Sequence, residues 1–341
     1  MQQLMFTSPG CCEWREAAEP APPEPGQALV RPIAVACCDL DIGVMQGRAP
    51  LPPGFALGHE GIGDVIAVGE GVSSVSVGDR VIVPFQISCG ACGPCRRGLS
   101  ASCASVPPRA MYGLGPIAGL DGGGFLCDAV LVPYADAMLV ALPQGADPVA
   151  LASLSDNIPD GWRTIGPHRD LLAANDPADR RVLVIGGLSI GIYAAAFAAA
   201  LGARVDYVDT DADRLAAAGE LGATVHDRTG PDRQWGVYPV TVNTSADPAL
   251  LAAALRATSP GGVCTDTGIY YQAEVPLPLL EMYSSGVTFV TGRANARADL
   301  PAVLDILAGG CDLRPAVDRV VAWDEAAEAW PTMRSKVVFV R

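Results

Sequence analysis

The stretch RVLVIGGLSIGIYAAAFAAALGARVDYVD, residues 181–209, decides the architecture. Its opening Val/Ile run has the length of a buried strand, a glycine pair breaks it, and an alanine-rich half with helical texture follows. The stretch is uncharged from Val182 to Ala203, close to the ~20 residues that span a bilayer. The glycine pair and the switch from β-branched to alanine-rich composition favour strand, turn and helix instead. ARVDYVD then reads as a second strand, and DADRLAAAGELGA, residues 211–223, as a helix with apolar positions at helical spacing. The alternation continues through VYPVTVN, ADPALLAAALRA, GGVCTDTGIY and GVTFVTG. Strand alternating with helix predicts a parallel sheet in an α/β fold.

Outward from this region the texture changes. The first 150 or so residues are dense in Gly and Pro, with short runs such as DVIAVG and DRVIVPF between turn signals. They predict a β-rich unit of short strands. After Gly292 come a helix, DLPAVLDILAGG, then WDEAAEAWPTM and a terminal strand, KVVFVR. A chain of 341 residues, half of them apolar, suits about two domains with sizeable cores. The formal charge of −14, from 37 acids against 23 bases, repels phosphate backbones and anionic lipid. Nucleic acid and membrane surface are therefore excluded as partners. The N-terminal MQQLMFTSPGCCEWREA lacks a secretory pattern, so the cytoplasm is the expected compartment. The 11 cysteines are an odd number in such a chain, which argues against a disulfide framework and for metal or thiol chemistry.

Within ISCGACGPCRRGLSASC, residues 87–103, Cys89, Cys92, Cys95 and Cys103 fall as C-x2-C-x2-C-x7-C. Four thiolates on one short loop suit a tetrahedral structural zinc with no open position. An iron–sulfur cluster fits less well, because no proline follows a fourth cysteine at the ferredoxin distance. Unliganded thiols are the remaining alternative.

Just upstream, GHEGIGDVIAVGEGV, residues 58–72, fits G-H-E-x2-G-x5-G-x2-V at every fixed position. With the four-cysteine loop, the strand–glycine–helix unit and the terminal KVVFV in the same order, the chain resembles the zinc-containing medium-chain alcohol dehydrogenases. That resemblance implies a GroES-like β-rich catalytic domain over 1–158 and 292–341, with a Rossmann nucleotide-binding domain over 159–291. It implies a homodimer or homotetramer acting on a small-molecule alcohol, aldehyde or ketone with NAD(H) and two zinc ions per chain, one catalytic and one structural. His59 matches the family's histidine ligand, and Glu60 is a carboxylate able to approach the metal. LASLSDNIPDGWRT, residues 151–164, resembles the Ser-Asp segment of the formaldehyde-dehydrogenase-like branch and nominates Asp156 as third ligand. A helix cap is the competing role for Asp156, and Asp160 is the fallback ligand.

In ACCDLDIGVMQG, residues 36–47, counting back from Gly47 along the family's pattern puts Cys38 on the ligand position and Asp41 on the aspartate that supports the zinc-bound histidine. Cys37 then becomes a small buried filler. Leu40 stands where the family has a Ser or Thr hydroxyl, and Gly43 where many members have a proton-relaying histidine. The resemblance therefore implies an atypical proton route, through water or the cofactor ribose. It also leaves open reduction of an imine or activated double bond, or a non-catalytic nucleotide-binding role.

For the nucleotide, Gly186 and Gly191 match the first and third glycines of G-x-G-x-x-G, with Leu188 in place of the second and Gly187 available to supply room. Asp209, at the end of the next strand, is placed to bind ribose hydroxyls and repel a 2′-phosphate, which favours NAD(H) over NADP(H). From the resemblance, Arg214 is expected to pack on adenine, Gly268 and Thr291 to bring backbone to the nicotinamide, and Lys336 to lie near the pyrophosphate. Phe85 matches a pocket-lining aromatic, and Trp162, which follows Asp156, is expected to line the pocket too.

Overall fold

The computed structural model describes residues 1–49, 51–115, 122–187, 189–228 and 235–341. The chain divides into two compact units: Met1–Pro159 with Ala294–Pro301 and Val317–Arg341, and Asp160–Arg293 with Ala302–Ala316. The expected division gave all of 292–341 to the catalytic domain, whereas Ala302–Ala316 goes with the nucleotide unit. The reason is packing: the short turn Arg314–Ala316 sits against helices Ser189–Ala200 and Ala212–Glu220 of that unit.

The strands, in chain order, are β1 (Gln2–Ser8), β2 (Cys11–Glu16), β3 (Ala28–Ala36), β4 (Phe55–Ala56), β5 (Glu60–Val68), β6 (Arg80–Ile82), β7 (Val130–Val132), β8 (Val140–Ala141), β9 (Arg181–Ile185), β10 (Arg204–Asp209), β11 (Thr224–Asp227), β12 (Tyr238–Asn243), β13 (Thr258–Asp266), β14 (Thr288–Thr291), β15 (Arg319–Ala322) and β16 (Val337–Val340). In the first unit one sheet runs β15-β16-β3-β5-β6-β8, with β7 also on β3, and a smaller one runs β2-β1-β4. Between them lies a core of fully buried aromatics, among them Phe6, Tyr112, Phe125, Trp330 and Phe339.

The central strand β3 does most to place the chemistry. Ala36, its last residue, is registered opposite Glu60 on β5 and Val338 on β16. Three strand ends from distant parts of the sequence therefore converge. Cys37 and Cys38 follow β3, His59 precedes β5, and Lys336 precedes β16.

In the second unit six parallel strands run β11-β10-β9-β12-β13-β14. Residues 182–185 of β9 are at most 1% exposed, as a strand covered on both faces requires. The chain winds outward from β9 to β11, then returns to β12 on its other side. The C-terminal ends of β9 and β12 are thus a topological switch point, where doubly wound sheets bind ligands. No helix among the described residues is long and apolar enough to cross a membrane. The uncharged run of 182–203 is instead a strand and an interior helix, as its texture predicts.

One glycine shows how tightly the first unit is built. Gly113 has φ +67°, and a Cβ there would lie 2.2 Å from the carbonyl oxygen of Gly58, next to the Gly-His-Glu turn. Gly113→Ala should cost on the order of 2 kcal/mol or more of stability, read as a lowered denaturation midpoint.

Candidate active site

Cys38 caps the short helix Asp39–Met45. Its sulfur accepts from the Leu40 amide at 3.5 Å, while Asp41 Oδ2 accepts from the Cys38 amide at 2.8 Å. This reciprocal box fixes both side chains at the end of β3. Asp156 lies between the turn Ala152–Ser155 and the helix beginning at Asn157. Its Oδ2 stands 3.7 Å from Cys38 Sγ and 3.5 Å from His59 Nε2. On the other edge of the imidazole, Nδ1 is 3.5 Å from Asp41 Oδ1. Cys38, His59, Glu60 and Asp156 each offer a ligand atom within 4.8 Å of the others, and all four are buried. Asp160, the fallback, belongs to the second unit and is paired with Arg163.

The donor set fits a cation. His59 is 1% exposed, yet neither ring nitrogen has a hydrogen-bond partner among the described residues. A buried unpaired polar atom is costly. Burial pushes the Cys38 thiol far up, and the neighbouring Asp156 and Glu60 add to this. Burial pulls the His59 imidazole down, but Asp41, Asp156 and Glu60 carry it up to about 9. The Asp41 carboxyl is raised, chiefly by desolvation. Thiol, imidazole and carboxylate together are zinc donors, and a divalent cation would satisfy the nitrogens and discharge the crowding.

Glu60 has partners of its own. It is fully buried, and its Oε2 accepts from Lys336 Nζ at 2.9 Å and from the Ser153 hydroxyl, while Oε1 accepts from the Asn157 amide at 3.2 Å. Desolvation still lifts its carboxyl to about 7. Lys336 also donates to the Cys37 carbonyl at 2.7 Å. The expectation that Lys336 meets a pyrophosphate gives way to this placement: the residue is 4% exposed and its ammonium is engaged by Glu60. Cys37 is a free thiol, bonded to Ser335 O and Val337 N at 3.2 Å each and pushed by burial to about 12. It ties β3 to β16 and forms no disulfide with Cys38.

Phe85 lies beside this group, its ring centroid 5.7 Å from that of His59, in an apolar cluster with Met111 and Leu114 against which Leu40 packs. Trp162 is placed differently from expectation. It packs edge-on against Phe197 at 5.4 Å and is 5% exposed, so it serves the interior of the nucleotide unit. The edge-to-face aromatic pair accounts for its position.

The other group of metal-ligating side chains among the described residues is Cys89, Cys92, Cys95 and Cys103. Their sulfurs lie within 4.8 Å of one another, Cys92 to Cys103 at 3.9 Å, against about 3.8 Å for thiolates around one tetrahedral zinc. Amides of Cys89, Cys92 and Ala104 each point at a sulfur at 3.4 Å. A hydrogen bond with Ser105 leads in lowering the Cys89 thiol to about 6, and backbone N–H bonds lower Cys92, while burial raises Cys95 to about 12.

In the second unit the glycine turn follows β9, and Asp209 ends β10. At Gly186 a Cβ would fall 2.4 Å from Asp209 Oδ2 and 2.5 Å from the Tyr207 hydroxyl, so the turn and the acid are in contact. At Gly191 it would fall 2.8 Å from Thr244 Oγ1. Gly187 has φ +132° and donates to Asp209 at 3.0 Å; Leu188 lies outside the described residues. Gly268 follows β13 and Thr291 ends β14, both at the ligand-binding end of the sheet. Arg214 departs from expectation: its guanidinium forms a bidentate ion pair with Asp209, at 2.8 and 2.9 Å, rather than lying open for adenine.

Residues 24–144 match the alcohol dehydrogenase GroES-like domain family, and residues 189–309 the zinc-binding dehydrogenase family. A geraniol dehydrogenase from Castellaniella defragrans is 30% identical over 311 residues, spanning 84% of this chain and 82% of that one. The chain belongs to the zinc-binding alcohol dehydrogenase family. A glutathione-independent formaldehyde dehydrogenase from Bacillus subtilis is 29% identical over 345 residues, covering 89% of this chain and 83% of the relative. The solved alcohol dehydrogenase from Thermus sp. ATN1 superposes with a TM-score of 0.88 at 28% identity, covering 100% of this chain and 99% of that one.

The chain thus has a GroES-like domain and a Rossmann-like parallel sheet, as expected, and is an oxidoreductase of the alcohol dehydrogenase type. Three of its site contacts escaped sequence reading. Ser153 and Lys336 hold Glu60, and Asn157 Oδ1 lies 3.4 Å from Cys38 Sγ. Only Asn157 carried a signal, as the neighbour of Asp156.

Two predictions follow from the geometry. Cys38→Ala should lower the bound zinc, and Cys37→Ala should leave it unchanged, measured by elemental analysis of dialysed protein. Lys336→Met strands a buried carboxylate and should destabilise the fold by roughly 3–5 kcal/mol; adding Glu60→Gln should restore part of the loss in denaturant titrations.

Proposed function

We propose that this chain interconverts an alcohol with its aldehyde or ketone, using NAD(H) and two zinc ions, one catalytic and one structural. The observation that carries the reading is the buried Cys38, His59 and Asp156 donor set, with neither nitrogen of His59 in a hydrogen bond among the described residues. These three residues would hold the catalytic ion, and Cys89, Cys92, Cys95 and Cys103 the structural one. When bound, zinc supplies Lewis acidity toward the substrate oxygen.

The chain's own residues do the rest. Asp41 faces His59 Nδ1 and sets the orientation of the ring. Glu60, held by Lys336 and Ser153, keeps a second carboxylate beside the donor set without displacing it. Phe85, Met111, Leu114 and Leu40 form an apolar wall that would exclude water and suit a substrate with a hydrocarbon part. On the nucleotide side, Gly186, Gly187 and Gly191 give the backbone access to a pyrophosphate, Asp209 marks the ribose, and Gly268 and Thr291 would border the nicotinamide. Asp209 favours NAD(H) over NADP(H) by charge.

Proton transfer is where this site departs from its family. Leu40 packs into the apolar cluster and offers no hydroxyl. Gly43 offers no side chain, although a Cβ there would meet only Ala49 Cβ, at 3.9 Å. The proton therefore moves through water or the cofactor ribose. The same two residues favour one further reading, reduction of an imine or activated double bond, which needs no hydroxyl relay. A panel of alcohols, aldehydes, imines and enones assayed with zinc-loaded protein and NAD(H) should give turnover with alcohols and aldehydes, abolished in Cys38→Ala. Turnover confined to imines or enones, and retained in Cys38→Ala, would overturn the proposal.

A further inference from the structure

In a chain with 37 acids against 23 bases a guanidinium readily finds a carboxylate, as Arg80, Arg181, Arg214 and Arg256 do. Arg96 and Arg297 have none among the described residues, and both line one cavity of about 610 Å³ in the first unit. Each donates only to a carbonyl, Arg96 Nη1 to Ala91 O and Arg297 Nε to Ala137 O at 2.9 Å. Arg297 is half-buried, and desolvation pulls its guanidinium down, as befits a cation without a counter-charge. Ser88 lines the same cavity. It is 2% exposed, yet its hydroxyl has no hydrogen-bond partner among the described residues, a costly arrangement unless something in the cavity satisfies it. The walls are fastened together: the Ala101 amide donates to Asn295 Oδ1 at 3.0 Å, pinning the cysteine lobe to the segment that carries Arg297. Asp136, the acid on the lining, is already engaged. Its Oδ1 accepts from the amides of Ser73 and Ser74 at 2.9 Å each and from the Ser74 hydroxyl at 2.8 Å, and its Oδ2 from the Ser73 hydroxyl at 2.9 Å.

We propose that this cavity binds a small phosphate ester, its phosphate held by Arg96, Arg297 and the hydroxyl of Ser88. Two guanidinia call for a dianion, and a phosphate monoester carries a charge of about −1.5 to −2 near neutral pH. The planar fork of an arginine matches phosphate oxygens two at a time. The bond from Nε to Ala137 fixes the Arg297 side chain and leaves its terminal nitrogens for the ligand. Ala298, in the first turn of the helix Ala296–Ala308, also lines the cavity, so the positive end of that helix adds to the attraction. The sulfurs of the neighbouring lobe are hydrogen-bonded with Ser105 and with backbone amides rather than with either arginine. The volume falls within the roughly 300–1,000 Å³ of small-molecule sites, which leaves room for the organic part of an ester. The lining shares no residue with the Cys38, His59 and Asp156 set. The ester is therefore a second ligand, separate from the alcohol or carbonyl substrate.

The test is calorimetric titration of the full zinc-loaded chain with phenyl phosphate, inorganic phosphate and benzoate, for the native protein, Arg297→Met, Ser88→Ala and Arg96→Met. The native protein should bind one equivalent of phenyl phosphate, inorganic phosphate several-fold more weakly and benzoate at least tenfold more weakly. Arg297→Met should weaken phenyl phosphate at least tenfold and Ser88→Ala several-fold. Arg96 is exposed, so Arg96→Met keeps the fold and should also cost several-fold in affinity. Absence of saturable binding to the native protein, or native affinity retained in both Arg96→Met and Arg297→Met, would overturn the site. Benzoate bound as tightly as phenyl phosphate, or inorganic phosphate bound more tightly, would overturn the assignment of the ligand as a phosphate ester.

Discussion

The first unit is organised around a surplus of negative charge in its interior. Asp41, Glu60, Asp156 and the thiol of Cys38 are all buried, faced by the ammonium of Lys336 at Glu60 and by the imidazole of His59 at Asp41 and Asp156. An interior of low dielectric does not tolerate such crowding without a counter-charge. The shifts all point the same way, with the carboxyls of Asp41 and Glu60 and the thiol of Cys38 raised. A divalent cation at the donor atoms would resolve the conflict, and Cys38, His59, Glu60 and Asp156 bring their ligand atoms close enough to hold one.

That arrangement depends on β3. Its pairing with β5 on one side and β16 on the other brings residues nearly three hundred positions apart into hydrogen-bond contact, as Lys336 with Cys37 and Glu60. Cys37, the less conspicuous of the adjacent thiols, bonds to Ser335 and Val337 and helps fasten this junction. The separation of roles is clear: Cys38 turns inward to the donor set, and Cys37 turns to the C-terminal strand. The nucleotide unit makes the corresponding choice at its own switch point. There Asp209 accepts from the glycine turn and from Arg214.

Much of this was legible in the letters. Strand–glycine–helix texture in residues 181–209 identified the parallel sheet, because periodicity and glycine placement are local signals. Cysteine spacing marked the lobe of 89–103, and the resemblance to the zinc dehydrogenases, counted back from Gly47 along their pattern, implied Cys38 and Asp41 beside His59, and the three lie together. What escaped were contacts between distant segments. The partner of Lys336 depends on strand order, the interior position of Trp162 on helix packing against Phe197, and the partner of Arg214 on how the turn after β10 folds back. No local pattern encodes these.

The cation in the buried donor set is the claim on which the rest stands. Crystals of the full chain measured just above and below the zinc absorption edge would locate the metal directly. The account predicts two anomalous peaks per chain, one among the sulfurs of Cys89, Cys92, Cys95 and Cys103, the other bonded to Cys38, His59 and Asp156. A peak in the cysteine lobe alone, with His59 hydrogen-bonded to protein or water, would contradict it.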